Sequence, residues 1–575
     1  MKLKLMIAGL AFTVLAVSSC SDEMEYAEYQ TYNKEYVFKN FDNTVGFVTN
    51  IYGYLDYDLG LFGTGMLASA CDEAEHAWRT SEIQDFTNGA WTPSNSKTTW
   101  WTESYAAIRA ANFYLRECGS ADFSELKYNK DYLSQMKRFE RLQYEVRFLR
   151  AYFYFRLARQ FGDVPLSTTV ETEADVNNLT KAPVQDVFKF VCDECDAIVD
   201  RLPASYSNLG DDAASGEVGR VTSTAVLALK ARAKLYAASP LFNTDNDPAK
   251  WREAAEAGKA VIDACSENGI TMTADYSNLW GKNNWQNSEM IFIRGIGNVS
   301  WPESNNFPMG VQGGQSGNCP SQNLVEAYDL KDGSVVNWTD PEAAVAKFAN
   351  FDPRFSKTIA KNGDTGWPTF YGKALETYYG GANGEPLPNA TPTSYYLKKY
   401  LDASVNTSST NGTTANHSWI TFRLGEFYLN YAEAVYKWLG SETAVPGFTS
   451  GYNASALDAM NVTRTRAGVA ALTEAQASER GFLNCYEKER MVELAFEGHR
   501  FWDLRRWKEG DKLKSITEMH ITKTGTGDDA TFTYTRKVVN RVWNDKMYLF
   551  PIPLSETLKN KNLTQNPGWS TTSTK

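Results

Sequence analysis

The sequence predicts a mainly α protein: a tetratricopeptide-like scaffold of helical pairs, interrupted by one large, irregular, loop-rich insertion. Three observations carry this reading. Apolar and aromatic residues recur every three or four positions through residues 100–117, 132–161, 183–202, 222–239 and 248–266, the period of a helix with one buried face. Several of these runs are closed by a helix breaker, as at Gly162, Pro203 and Pro240. Between about residues 270 and 420 the helical period fades while Gly, Asn, Ser and Pro become frequent, and it returns from residue 422.

In chain order, Lys2 and Lys4 precede an apolar run from Leu5 to Val17 that ends in Val17-Ser18-Ser19-Cys20. The run is too short to stay in a bilayer as a span, and small residues directly before a cysteine mark a lipoprotein signal. Residues 1–19 are therefore expected to be a signal peptide, Cys20 to take a diacylglycerol, and residues 20–39 to tether the body. No later segment offers about 18 uninterrupted apolar residues, so the body is expected to be water-soluble, anchored to a membrane and outside the cytoplasm. No Pro/Gly/Ser linker divides residues 40–575, which read as a single body. Its scaffold falls at about 40–268 and 420–575, and its insertion at about 270–420.

Within the scaffold, residues 132–161 end at Gly162-Asp163-Val164-Pro165, a stop followed by an extended exit. Arg147, Arg150 and Arg156 on this run can snorkel or pair with carboxylates such as Glu145. In residues 222–239, Ala225, Ala228, Ala231, Ala233, Ala237 and Ala238 allow neighbouring helices to approach closely, as in tetratricopeptide units. Asp247 and Pro248 supply a cap and first-turn proline for the next helix. Asp245, Asp247 and Glu256 lack the glycine of a calcium loop, so capping is the reading adopted. Helical period resumes at 422–439, 455–467 and 480–507. The last run alternates Glu and Arg around Met491, Leu494, Phe496, Phe501 and Trp502 and is expected to bury ion pairs on one helix. The segment Tyr548-Leu549-Phe550-Pro551-Ile552-Pro553 is extended and should pack against the helices.

Composition narrows the function. The chain carries 58 basic and 69 acidic residues, net −11, with the basic residues scattered, which argues against nucleic acid. Aromatic residues make up 13%, including 16 Trp and 31 Tyr, so some rings are expected to face a ligand. Beyond Cys20 seven cysteines remain, an odd number without the spacing of a disulfide framework. Cys192 and Cys195 sit on a helical run with no second pair, and read as small apolar residues. The four histidines, His76, His417, His499 and His520, form no i+3 or i+4 pair, so no metal site is expected. There is no G-x-S-x-G, H-E-x-x-H, P-loop or strand-flanked G-x-G-x-x-G. Gly310, Gly313, Gly314 and Gly317 lack the lysine and hydroxyl of a phosphate loop and read as a mobile surface loop. Asp72, Glu73 and Glu75 could serve glycoside hydrolysis only if held across a cleft. Nothing in the pattern positions such a pair, so neither enzymatic activity nor a cofactor is expected.

Several blocks in register resemble one family. They are EVRFLRAYFYFRLARQFGDVPL at 145–166, GRVTSTAVLALKARAKLYAASPLFN at 219–243, WREAAEAGKAVID at 251–263, FRLGEFYLNYAEA at 422–434, NVTRTRAGV at 461–469, EKERMVELAFEGHRFWDLRRW at 487–507, LFPIPLSE at 549–556 and QNPGW at 565–569. With the lipid-attachment signal they resemble SusD/RagB-type outer-membrane lipoproteins of Bacteroidota, the nutrient-binding partners of TonB-dependent transporters. The resemblance implies a SusD-like fold and a non-catalytic surface protein that captures oligosaccharides for a SusC-like transporter. A peptide-binding subunit of a RagAB-type importer is the alternative. Ser21, Asp22 and Glu23 resemble the acidic export tag of surface lipoproteins, which implies the outer leaflet of the outer membrane. In such proteins, rings on a shallow surface stack on sugar C–H faces while polar groups reach hydroxyls. The segment Asp72, Glu75, Trp78 and Arg79 resembles a ligand-proximal stretch in relatives, with Trp91 shortly after. In the insertion, Trp301, Trp367, Tyr371, Tyr378 and Tyr395 stand among turn residues and complete the expected ligand-binding set. Glu497, His499 and Asp503 belong, by the same resemblance, to a structural helix.

Overall fold

The computed structural model describes residues 34–97, 99–207, 209 and 217–570. The expected signal peptide, the lipidation site Cys20 and residues 20–33 of the expected 20–39 tether lie outside them; the end of that tether is instead part of the body, because Lys34–Phe38 form a short helix that buries Val37 and Phe38 in an apolar core. The main helices are α1 (Phe41–Tyr52), α2 (Thr99–Glu117), α3 (Tyr132–Phe161), α4 (Val184–Ile198), α5 (Ser223–Ala238), α6 (Ala249–Glu267), α7 (Leu424–Leu439), α8 (Ala456–Arg466), α9 (Phe482–Glu493) and α10 (Arg500–Arg506). From α2 to α8 each helix packs on the next, a continuous stack of helical pairs. Local chemistry sets the ends. The Thr222 hydroxyl accepts the Ala225 N–H at 3.2 Å to start α5, and Gly162, at φ 70°, ends α3. The alanines of α5 are buried, and Gly258 of α6 lets that helix approach Tyr431 of α7.

Although residues 268–423 intervene, α6 and α7 are direct neighbours. The chain leaves along β2 (Met290–Val299) and returns along β6 (Ala415–Arg423), and these strands pair antiparallel with Ile293 opposite Ile420, closing the neck of the excursion. Three further two-stranded sheets occur among the described residues. They pair β1 (Ala74–His76) with β3 (Asn318–Pro320), β4 (Ile359–Ala360) with β5 (Tyr396–Leu397), and β7 (Ser515–Thr524) with β8 (Thr531–Asn540). A first apolar core follows the helices. A second gathers Leu324, Tyr328, Phe355 and Tyr396 from the excursion with Val492, Phe496, Met519 and Ile521.

The two cores meet at a buried charge network. Arg423 reaches Glu289 at 2.8 Å and Glu493 and Glu497 at 2.7 Å, while Arg354 reaches Asp352, Glu489 and Glu493 at 2.6–2.8 Å. Burial alone would raise the Glu493 carboxyl, but Arg466, Arg423 and Arg354 hold it far below the usual range. Lys399, 2.7 Å from Glu497, is pulled down by burial to about 8.

Three expectations need correction. Residues 480–507 are not one helix: α9 stops at Glu493, and Phe496 and Gly498 have φ of 59° and 73°. The break sends Ala495 and Phe496 into the second core and turns Glu497 onto Arg423. The glycine-rich loop is at the surface as expected, with Gly310, Gln312 and Gly313 exposed, but it is closely packed beneath: Gly314 and Gly317 are buried, and a side chain at Gly310, Gly313 or Gly314 would strike the carbonyls of Ala382, Thr407 or Pro308. Glu145 does not pair with the α3 arginines. It accepts from Tyr52 at 2.6 Å and Arg220 at 2.8 Å, whereas Arg147 and Arg150 bind Glu194 at 2.8 and 3.0 Å. The expected ion pairs of 487–507 are present: Arg490 with Asp503 at 2.7 Å and Arg506 with Glu433 at 2.6 Å, all buried.

Candidate functional site

Because β1 pairs with β3, the residues that follow β1 lie against the glycine-rich loop. Ala77 donates to the Gly317 carbonyl at 2.8 Å, and the Trp78 indole Nε1–H donates to the Gln315 carbonyl at 2.7 Å. The same loop is held from its other side. The side chain of buried Asn383 donates to the Met309 carbonyl at 2.9 Å, and the Thr407 hydroxyl donates to the Gln312 carbonyl at 2.6 Å. Asn383 also accepts from the Tyr371 hydroxyl at 3.3 Å. Beyond it, the Tyr379 N–H donates to the Ile521 carbonyl of β7 at 2.8 Å. Four segments, 77–79, 308–317, 371–384 and the β7–β8 hairpin, are thereby linked by hydrogen bonds into one face.

Trp78, Tyr371 and Tyr378 stand half-buried on this face. Tyr378 packs 5.5 Å from Phe532, with Lys523 Nζ 5.0 Å over its ring. Trp301, also half-buried, opens the short helix Trp301–Asn306 and lies 6.3 Å from Tyr57. Arg79 is largely exposed and leans on Glu75 at 3.2 Å and Glu518 at 3.9 Å. Glu518 in turn meets His520 at 3.3 Å and Lys537 at 3.5 Å, a polar rail beside the rings. A ring fixed by one edge keeps a face for C–H contact, and a guanidinium only partly engaged keeps N–H donors for hydroxyls.

Other expected ligand residues are structural. Trp91 is 1% exposed, enclosed by Phe550 at 4.6 Å, Phe86 at 4.7 Å and Trp569 at 5.3 Å, so the C-terminal segment seals it in the core. Trp367 is buried edge-on against Phe307 at 5.3 Å. Tyr395 is buried with its hydroxyl on Gln322 Oε1 at 2.9 Å. Asp72 is a buried bidentate partner of Arg500, at 2.6 and 2.8 Å. Glu75 is buried between Arg541, at 2.5 Å, and Gln84, at 2.9 Å; burial would raise its carboxyl, but Arg541 holds it below the ordinary range. These two carboxylates position the segment from which Trp78 and Arg79 project. Sequence reasoning missed Tyr379, 62% exposed, and the hairpin residues Phe532, Lys523 and Glu518. The Gly525–Gly527 turn between two β-branched runs is the signal that would have found them.

The acidic residues of the 487–507 run that the resemblance gives as structural are similarly engaged. Asp503 lies between Arg490 and Arg506, at 2.7 and 2.8 Å, and Glu497 between Arg423 and Lys399. Burial, then the nearby Arg232, holds His499 well below its usual range. On α4, Cys192 and Cys195 are both buried, and burial pushes Cys192 up to about 11.

A sequence profile described as the SusD family matches residues 272–569, more than half of the chain. The chain belongs to the SusD family. A second profile, described as starch-binding associating with outer membrane, matches residues 25–235. The chain is similar to SusD-like protein P2 of Formosa agariphila, with 24% identity over 89% of this chain and 88% of that one. Among solved structures it resembles a SusD-like protein of Bacteroides fragilis, with TM-score 0.74, 24% identity and coverage of 93% and 98% of the two chains. It also resembles a SusD-like carbohydrate binding protein of Bacteroides fragilis, with TM-score 0.71, 24% identity and coverage of 92% and 100%. A laminarin binding SusD-like protein superposes with TM-score 0.61, at 21% identity and coverage of 92% and 100%. The SusD-like helical fold expected from the sequence is the one observed.

Proposed function

We propose that this SusD-family chain is a non-catalytic, lipid-anchored glycan-binding protein of the outer-membrane surface, capturing oligosaccharides for a SusC-like TonB-dependent transporter. The observation that carries the reading is the loop face, where the half-buried rings of Trp78, Tyr371 and Tyr378 accompany the exposed guanidinium of Arg79; Trp301, half-buried beside Tyr57, is a further candidate ring. Rings with free faces and nearby donors suit pyranose stacking with hydroxyl recognition. Similar folds described as carbohydrate binding and laminarin binding support the ligand class. The engagement of Asp72, Glu75, Glu497 and Asp503 in ion pairs supports capture without hydrolysis. The lipid anchor at Cys20 is supported by the Val17-Ser18-Ser19-Cys20 signal of the sequence.

The test is affinity electrophoresis and calorimetry of the chain lacking residues 1–20 against a panel of polysaccharides and peptides, beside Trp78→Ala and Trp301→Ala. Retention by one polysaccharide, weakened in both variants, is the expected result. Binding of peptides alone would replace glycan with peptide cargo.

A further inference from the structure

The corner at which the chain enters the body carries an apolar turn left open to solvent. Lys34 pairs with Glu117 at the end of α2, the Asp122 N–H donates to the Phe38 carbonyl at 3.2 Å, and Phe123 lies 5.7 Å from Phe41 and 5.0 Å from Phe139 of α3. The α2–α3 connection, residues 118–131, is thereby pinned beside the first residues of the body. On this connection and the turn of α3 that follows it, Tyr128 is 92% and Leu133 75% exposed, more than any other large apolar side chain among the described residues. Single exposed apolar residues are ordinary on a protein surface. Here two stand within six positions, at the one corner from which the chain runs to its expected anchor.

Where the chain leads identifies what meets them. Fourteen residues, 20–33, separate Lys34 from Cys20, and fully extended they reach at most about 50 Å. A lipid on Cys20 therefore keeps this corner nearer to the membrane, along the chain, than any other part of the body. The residue types suit a headgroup layer: a tyrosine ring takes its polar edge to the interface, leucine enters the acyl boundary, and the exposed Lys127, Lys130 and Lys137 can lay their stems along it with the ammonium groups at phosphate level. Although the chain is net −11, residues 122–141 carry five basic and four acidic side chains, so this corner brings no excess of negative charge to anionic headgroups. Two side chains are too few to hold a free protein on a bilayer. On an anchored one the contact is intramolecular, and a weak contact suffices to choose an orientation.

We propose that the turn of Tyr128 and Leu133 is a membrane-docking surface that seats the entry corner of the body on the headgroup layer of the bilayer holding the Cys20 lipid. The inference rests on the lipid anchor proposed above. The test uses the mature lipidated chain in vesicles of phosphatidylethanolamine and phosphatidylglycerol at about 4:1, with photoreactive benzoylphenylalanine in place of Asn129, inside the turn, or of Val445, 51% exposed on the α7–α8 connection at the other end of the stack. After irradiation, mass spectrometry should find lipid adducts at position 129 at least about fivefold above those at 445, falling at least about fivefold when Tyr128→Ser and Leu133→Ser are added. Equal yields at the two positions, or adducts at 129 that survive the serine pair, would overturn the docking surface and keep the anchor. Adducts at 129 to a second chain alone would replace the membrane with a second copy. A mature N-terminus without diacylglycerol would overturn the anchor itself.

Discussion

Replacing Glu73 by glutamine should stabilise the protein, and do so only above acidic pH. Glu73 lies between two candidate ligand residues of the sequence reading, yet it is 1% exposed. Its carboxyl has the Phe496 N–H at 3.3 Å and the Cys71 thiol at 3.8 Å, with no cation in ion-pair range among the described residues. Burial, reinforced by the neighbouring Asp72, pushes it up to about 8, against the pull of Arg500 and the Phe496 N–H. The sign follows from proton binding. Between the unfolded value of 4.5 and about 8, the folded chain holds this proton and the unfolded chain does not, so stability falls as pH rises through that window. At about 1.4 kcal/mol per pH unit, the displacement costs ~3 kcal/mol at pH 7 and ~5 kcal/mol above pH 8. Glutamine keeps the shape and can still accept from Phe496, but it has no charge to bury. Urea unfolding followed by tryptophan fluorescence, at intervals from about pH 4.5 to 8.5, measures both proteins under the same conditions. The variant should match the wild type at the acid end and exceed it by a margin that widens with pH. Parallel profiles, or a wild type that gains on the variant as pH rises, would refute a neutral buried Glu73.

Glu433 should act in the opposite sense. Burial would raise it, but Arg506 brings it to about 2, so its ~3 kcal/mol is present above pH 4.5 and lost on acidification towards pH 2. The loss should be visible as an acid limb of the urea midpoint that is absent in Glu433→Gln. Arg423→Met leaves Glu289, Glu493 and Glu497 short of a buried partner and should cost about 3–5 kcal/mol, measured in the same assay. Trp91→Ala should cost about 3–5 kcal/mol of stability as a core truncation, whereas Trp78→Ala should leave the melting temperature nearly unchanged and weaken glycan binding at least about tenfold in calorimetry. Gly313→Ala, at φ 81° and against the Thr407 carbonyl, should cost about 1–3 kcal/mol and weaken binding by displacing the loop on which Trp78 leans.

The helical stack was legible because its signal is repeated. Every turn of 132–161 or 222–239 restates the same face, and caps and stops such as Thr222 and Gly162 bracket it within a few residues. Residues 494–499 were not legible, because their periodicity continues that of α9 and only the arrival of Arg423 and the second core makes a break more favourable than another turn. Ring exposure is harder still. Trp367 and Tyr371 lie four residues apart among the same glycines and prolines, and nothing local separates them. Phe307, sixty residues earlier, covers Trp367, while buried Asn383 fixes only the hydroxyl of Tyr371 and leaves its ring half-open. The same holds for Trp91 and Trp78, one sealed by Phe550 and Trp569 from the far end of the chain, the other tied by its N–H to Gln315. Composition could therefore suggest that this chain leaves some aromatic rings at its surface, but not which ones. That choice is made by contacts tens to hundreds of residues away, and it explains how one helical scaffold can carry different aromatic faces: the covering residues can change while the stack that supports them stays the same.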